Sequence, residues 1–351
     1  MMQATTKQPG TPRADGFAMP AEWEPHQCCF MAWPARRSLW GEFFGQAKLD
    51  YAEVARAIAG FEPVVMICRP GDAADVTDHC GASVQVAEIE IDDSWTRDSG
   101  PVFVTDGQGE VAAVDFGFNS WGGKYLPYDH DAALGRALAD VLGTRYYRAP
   151  FVLEGGAFFT DGAGTLVTTE GPVLDPNRNP GASRGLFEQV VSDYLGIDQV
   201  LWLVAFPDRD TDGHVDGIAQ YAGPAELLLL VPDDEEHENY ALARENLARL
   251  AGATDASGRR LEVIQFDVTA ASADGEPLGV PYLNCYLANG GVIVPLAGSP
   301  SDEVALERLR AVFTGREVVG VPGVALSYGG GGPHCITQQM PLGRPAPAAR
   351  G

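Results

Sequence analysis

Two stretches of this chain are near-copies of each other. Val102–Val114 reads VFVTDGQGEVAAV, and Ala157–Thr169 reads AFFTDGAGTLVTT. In each, a β-branched and aromatic run enters a T-D-G-x-G turn and a second run leaves it, which predicts an antiparallel hairpin. The turn aspartates, Asp106 and Asp161, stand 55 residues apart. Weaker copies follow, Ile218–Pro224 with Leu227–Val231, and Cys285–Val294, with turns near 223 and 290. Between the hairpins, apolar periodicity predicts helices over Asp129–Leu142, Arg184–Leu195, His237–Leu250 and Ser301–Phe313. A short β-rich run follows each: Arg145–Arg148, Gln199–Val204, Leu261–Phe266 and Glu317–Val321. Lys48–Ala59 with Pro63–Cys68 keeps the same rhythm nearer the start. A unit of about 55 to 70 residues recurring about five times points to a radial or stacked α/β architecture. Strands that come as hairpins between helices, rather than singly, disfavour a Rossmann-like sheet.

Polar residues stand at matching places ahead of these units. Asp98 sits in WTRDSGP (Trp95–Pro101), Glu154 in Glu-Gly-Gly, and His214 with Asp216 in Asp212–Asp216 (DGHVD). Asn284 ends Tyr-Leu-Asn, and Cys335 closes SYGGGGPHC. In a ring of such units, equivalent positions converge on the axis, collecting two aspartates, a glutamate, a histidine, an asparagine and a thiol in one pocket. A thiol becomes a nucleophile when a neighbouring cation or donor favours its thiolate. His214 can shuttle protons, because imidazole titrates near pH ~6.5. On extended backbone His334 should face away from the target of Cys335, while His214 and Asp216 share a face. Three acids suit a planar cation with several N–H donors, which carboxylates grip bidentately. A guanidinium fits, and its charge would help ionise Cys335.

Plainer readings stand beside these. Asp98 before Ser-Gly-Pro has the composition of an ordinary turn residue. His-x-Asp can be half of a metal site, but no further ligand stands at metal spacing. Asp233–Glu238 (DDEEHE) reads as a helix N-terminus and solvated face, not a calcium loop. Gly122-Gly123-Lys124 lacks the spacing of a phosphate loop. The net charge of −24 repels nucleic acid and anionic membrane and attracts cations. Six cysteines without a CxxC pair read as reduced thiols. No apolar run is long enough to span a membrane, and the first residues lack the apolar core of a secretory signal. The expectation is a cytoplasmic protein with a disordered leader over 1–17, one catalytic domain over 18–343 and a flexible tail over 344–351.

The motifs resemble the agmatine deiminases of the Porphyromonas-type peptidylarginine deiminase group. The matching segments are Met19–His26 (MPAEWEPH), Met31–Pro34, Trp95–Pro101, Phe118–Lys124, Glu154–Gly156, Asp212–Asp216, Tyr282–Asn284, Ala288–Pro295 and Gly329–Gln339. They run in order from about 19 to 341. The resemblance implies a pentein fold, a five-bladed α/β propeller with pseudo-fivefold symmetry. It implies cofactor-free and metal-free hydrolysis of a guanidino group to a ureido group and ammonia, on the route to putrescine. Cys335 is then the nucleophile, His214 the general acid and base, Asp98 and Asp216 the guanidinium clamps, and Glu154 a further acid beside His214. Trp95 and Trp121 become pocket walls, Asn284 a substrate contact, and a homodimer the assembly. Gly217 and Gly332-Pro333 depart from the family pattern. Another guanidine, such as free or peptidyl arginine, an amidino-group transfer, or a non-catalytic guanidine binder stays open. An arginine-type site needs a cation for the substrate carboxylate, and Lys124 and Arg97 are the residues to inspect.

Overall fold

The T-D-G-x-G segments fold as hairpins for a local reason. In the computed structural model, which describes residues 10–272 and 278–347, Asp106 Oδ1 accepts from the backbone N–H groups of Gln108 and Glu110 at 2.9 and 2.7 Å. Asp161 Oδ1 does the same for Ala163 and Thr165 at 2.8 and 2.9 Å. The last glycine of each turn is left-handed, Gly109 at φ 83° and Gly164 at φ 101°, where a Cβ would be costly.

Along the chain the strands are β1 (Phe17–Ala18), β2 (His26–Ala32), β3 (Val64–Cys68), β4 (Val84–Glu88), β5 (Val102–Asp106) and β6 (Glu110–Gly117). Then come β7 (Tyr146–Val152), β8 (Phe158–Thr160), β9 (Thr165–Thr169), β10 (Gln199–Leu203), β11 (Ala219–Gly223) and β12 (Glu226–Leu230). The last are β13 (Glu262–Phe266), β14 (Tyr286–Ala288), β15 (Gly291–Leu296), β16 (Glu317–Pro322), β17 (Thr337–Pro341) and β18 (Arg344–Pro345). Four sheets share one plan, an antiparallel pair whose second strand is joined through a helix to a parallel third. They are β5-β6-β7, β8-β9-β10, β11-β12-β13 and β14-β15-β16. Their crossover helices are Asp129–Leu142, Arg184–Leu195, Tyr240–Leu250 and Ser301–Val312. The fifth sheet repeats the plan with strands from both ends of the chain. Strand β17 pairs antiparallel with β2, which pairs parallel with β3 across helix Phe44–Ala59, and β4 extends the edge. Buried apolar side chains form separate clusters shared between neighbouring elements rather than one continuous core.

This plan places the candidate residues. Asp98 precedes β5, Glu154 precedes β8, His214 and Asp216 precede β11, Asn284 precedes β14, and Cys335 precedes β17. Each therefore enters its sheet at the equivalent point.

Three expectations are corrected. Residues 10–17 are packed, not a leader: Arg13–Asp15 forms a 3₁₀ turn, Arg13 Nη2 lies 2.6 Å from Asp198 Oδ1, and Phe17 is buried in β1 opposite Asp106. The remainder of the leader, 1–9, lies outside the described residues. The chain from 344 is likewise engaged, because β18 pairs with β6 and Ala346 exchanges backbone hydrogen bonds with Val111 and Arg145 at 2.7 Å. The tail call over 348–351 lies outside the described residues. The helix expected from His237 starts at Tyr240, leaving the acidic run ahead of it as mostly exposed irregular chain. Among the described residues, no helix is long and apolar enough to cross a membrane.

Candidate active site

The glycine run is built by close packing. A Cβ on Gly329 would stand 2.3 Å from the ring of the buried Trp40, and one on Gly332 2.7 Å from Asn284 Oδ1. On Gly331 it would stand 2.7 Å from Trp95 and 3.0 Å from Cys335 Sγ. Real Cβ atoms do not approach this closely, so the run lets backbone press against an aromatic wall and deliver a thiol beside it. Trp95 is in turn backed by Trp40, their rings stacked at 5.7 Å.

Cys335 is buried and held by Asn284, whose Oδ1 accepts the cysteine N–H at 3.3 Å and whose Nδ2 donates to Sγ at 3.1 Å. Asp216 Oδ2 lies 3.5 Å from the same sulfur. Burial first, then the carboxylates of Asp216 and Asp98, push the thiol well above its ordinary value. Left alone, it rests protonated.

Opposite stands His214, with Nδ1 at 3.8 Å from Asp98 Oδ1 and Nε2 at 3.6 Å from Glu154 Oε2. Those separations are ion-pair distances, longer than hydrogen bonds, and among the described residues neither ring nitrogen nor Glu154 Oε2 has a hydrogen-bond partner. Burial disfavours the imidazolium, but Asp98, Glu154 and Asp216 outweigh it and raise the ring to about 9. Burial also lifts Asp98, with Asp216 and Glu154 adding to it against the pull of His214 and Trp121. Glu154 resists burial and stays below its ordinary value because His214 and Arg178 hold its charge. Gly156 makes the convergence possible. A Cβ there would meet His214 Nδ1 at 2.6 Å, Asp216 Oδ2 at 2.8 Å and Asp98 Oδ1 at 3.0 Å, and its N–H donates to Asp98 at 3.0 Å.

A narrow cavity reaches this cluster, lined by Trp95, Trp121, Asp98, Cys335 and Asp93, with Tyr125 and Asp210 continuing to its mouth. Glu154, His214 and Asp216 are packed against Asp98 and Cys335 and are not part of that wall. Asn284 holds the thiol and does not line the cavity either. Trp121 donates its indole N–H to Asp98 Oδ2 at 2.9 Å. It does so from strained backbone, with Ser120 and Trp121 both left-handed at φ 58° and 53°, a cost of about 1–2 kcal/mol per residue. Among the described residues, no Lys or Arg lines this cavity. At the mouth, Lys124 Nζ is bound by Asp212 Oδ2 at 2.8 Å and by two carbonyls, and Arg36 Nε by Asp93 at 2.7 Å. Arg97 is buried, bonded to Gln339 Oε1 and the His334 carbonyl.

Sequence reasoning missed three supporting residues. Arg178 binds Glu154 Oε1 at 2.8 Å, Asp175 Oδ2 at 2.9 Å and Asp212 Oδ2 at 2.6 Å, with no motif to announce it. Glu22, inside the MPAEWEPH segment, is buried against His334 Nε2 at 3.0 Å. His334 does not face away from the site: residues 333–336 form a turn, so the alternation of an extended strand does not apply, and Nδ1 reaches Asp216 Oδ2 at 2.8 Å. Likewise His214 and Asp216 meet through a 3₁₀ turn at Val215–Gly217 rather than along a strand.

The chain as a whole is similar to known proteins. The agmatine deiminase of Pseudomonas aeruginosa (strain LESB58) is 40% identical over 362 residues, covering 96% of this chain and 98% of the relative. The agmatine deiminase of Ectopseudomonas mendocina (strain ymp) is 40% identical over 357 residues, covering 94% and 97%. The solved agmatine deiminase of Enterococcus faecalis superposes with a TM-score of 0.91 at 34% identity, covering 97% of this chain and all of that one. The family profile matches residues 18–341, nearly the whole described chain, and this protein belongs to the Porphyromonas-type peptidyl-arginine deiminase family.

Proposed function

We propose that the chain is an agmatine deiminase, hydrolysing the guanidino group of agmatine to N-carbamoylputrescine and ammonia, a step that leads toward putrescine. In this reading the five sheets are blades of a pentein propeller, and the points where the chain enters each blade meet on the axis. Asp98 and Asp216 receive the guanidinium N–H groups. The bound cation offsets the two carboxylates that keep Cys335 protonated, and the thiol proton leaves to solvent. The thiolate then adds to the guanidinium carbon. His214, an imidazolium poised on Glu154, protonates the departing nitrogen, ammonia leaves, and a thiouronium ester remains on Cys335. The neutral ring takes a proton from water as the oxygen adds to the same carbon. Collapse breaks the C–S bond and frees the thiolate, which recovers a proton from solvent; the spare proton departs with ammonia as ammonium, so the substituted guanidinium plus water gives the substituted urea plus ammonium.

The observation that carries this reading is Cys335 and Asp98 on the wall of one cavity, with His214, Asp216 and Glu154 packed directly behind them. Beyond the guanidinium, Tyr125 and Asp210 line the way to the mouth, and the Asp210 carboxylate suits an amine rather than an α-carboxylate. Ammonia and ureido product are to be measured with agmatine, arginine and a peptidyl arginine, using Cys335→Ala as control. Agmatine is expected to be turned over and the other two poorly. Turnover by Cys335→Ala would remove the mechanism, and preference for arginine would remove the substrate.

A further inference from the structure

Among the buried charged groups that the mechanism above leaves unused are Glu22, His334 and Arg97. His334 is 1% exposed and Glu22 6%. Both ring nitrogens of His334 face carboxylate oxygens, Nδ1 at 2.8 Å from Asp216 Oδ2 and Nε2 at 3.0 Å from Glu22 Oε2. A neutral imidazole has one nitrogen with a lone pair and no proton, and that lone pair would point at a carboxylate. Only the imidazolium donates to both. The second oxygen of Glu22 accepts the Leu287 N–H at 3.0 Å, so the carboxylate is fixed from the β14 strand. Arg97 also faces this group, with Nη2 3.9 Å from Glu22 Oε2 and Nε donating to the His334 carbonyl at 3.2 Å, and the Arg316 guanidinium feels the charge of Glu22 from further off. Arg97, Glu22, His334 and Asp216 thus alternate in sign, and the string ends 3.5 Å from Cys335 Sγ.

We infer that Glu22 and His334 are positioning residues for the reaction: Glu22 keeps His334 as a buried imidazolium, and His334 fixes Asp216 as an aimed anion for the guanidinium. The Oδ2 of Asp216 is occupied by His334 and the thiol, which leaves Oδ1 to face a substrate N–H. Without the string, Asp216 would be a carboxylate in a dry cluster with Asp98 and Glu154, where one of the three would take up a proton. The directions agree. Burial opposes the charge on each member, yet Asp216 and Glu22 are held below their ordinary values, Glu22 at about 2, and His334 is raised. The string supplies charge, not a proton to substrate, since both ring nitrogens of His334 are already engaged by carboxylates.

This inference rests on the guanidine-site reading, and the test separates the two. Agmatine affinity is measured by calorimetry across pH in a Cys335→Ala background, with and without Glu22→Gln, alongside ¹⁵N spectra of the His334 ring assigned with His334→Asn. The parent background is expected to bind agmatine with an imidazolium at position 334 near neutral pH. Glu22→Gln is expected to weaken binding about tenfold and to lower the titration of the His334 ring by about one unit, as loss of a facing carboxylate should. Should Glu22→Gln not fold, His334→Asn, which keeps an N–H for Asp216 but no charge, is expected to weaken binding by a similar factor. A neutral His334 ring near pH 7 would overturn the inference. So would an unshifted ring titration in Glu22→Gln, or unaltered affinity in His334→Asn. A parent background that does not bind agmatine would instead overturn the guanidine-site reading.

Discussion

His214 and His334 are both buried rings set between two carboxylates, and they are held in opposite ways. His334 has hydrogen-bond distances on both sides, 2.8 and 3.0 Å. His214 has 3.8 and 3.6 Å and no hydrogen bond at either nitrogen. The His214 ring thus stands at ion-pair separations where the His334 ring is clamped at hydrogen-bond distance. The difference follows from what each ring is asked to do. A ring that must give a proton to one partner and take it from another is hindered by a committed acceptor on either nitrogen. A ring that only supplies charge gains from being locked.

The largest effect should come from separating the two rings. His214→Asn is expected to lower kcat by about 10³-fold, in the range of general acid–base catalysis, with agmatine binding retained. Its contrast with the binding defect expected of His334→Asn is the measure, read by single-turnover rates and equilibrium binding. A similar split of kcat and affinity in both variants would erase the distinction.

The pH response sharpens it. His214 is raised to about 9, so its stabilising contribution is complete below its ordinary value near 6.5 and disappears as pH rises from there through about 9. Proton donation to the leaving nitrogen falls over the upper part of that window. The expected kcat profile therefore declines near pH 9, and in Glu154→Gln, which removes a carboxylate facing the ring, the decline should move about one unit lower. An unmoved limb would assign the titration to another group.

Gly156 tests the geometry that both rings share through Asp216. The Cβ of Gly156→Ala would lie 2.6 Å from His214 Nδ1 and 2.8 Å from Asp216 Oδ2. Expected are a stability loss of about 1–3 kcal/mol from overpacking and a fall in kcat/KM of about a hundredfold from misplacement. Denaturant unfolding and steady-state kinetics on the folded protein check the two separately.

Much of this was legible in the sequence because it is local or repeated. Helix bounds at Asp129–Leu142 and Arg184–Leu195 follow from periodicity, and the Asp106 and Asp161 turns from Asp and Gly chemistry. The meeting of Asp98, Glu154, His214, Asp216, Asn284 and Cys335 follows from their common place before each unit. What was hidden depends on closure. The fifth sheet is split between β2 and β17, so no single stretch shows its hairpin. Glu22 and His334 are 312 residues apart, and Arg178 stands in an irregular loop whose path only tertiary contacts define. His334 was read as extended, when Gly332-Pro333 leads into a turn.

The smallest effect is expected at the mouth, where the cations stand. Lys124 is bound by Asp212 and the carbonyls of Arg209 and Asp210, and Asp212 keeps Arg178 as a second partner at 2.6 Å. Arg209 is 93% exposed, with Asp210 at 3.8 Å beside it, a pair of little energetic weight. If either cation received a substrate carboxylate, Lys124→Met with Arg209→Ala would depress arginine turnover far more than agmatine turnover. If the outer cavity serves an amine through its acidic wall, the double variant should change kcat/KM for agmatine by no more than about threefold, through the modest weight of exposed charge pairs. The agmatine-to-arginine ratio should stay constant. A ratio that rises tenfold would place carboxylate recognition at this rim and return arginine to contention. A constant ratio leaves discrimination to the inner cavity, where both buried imidazoles act through carboxylates that a guanidinium reaches first.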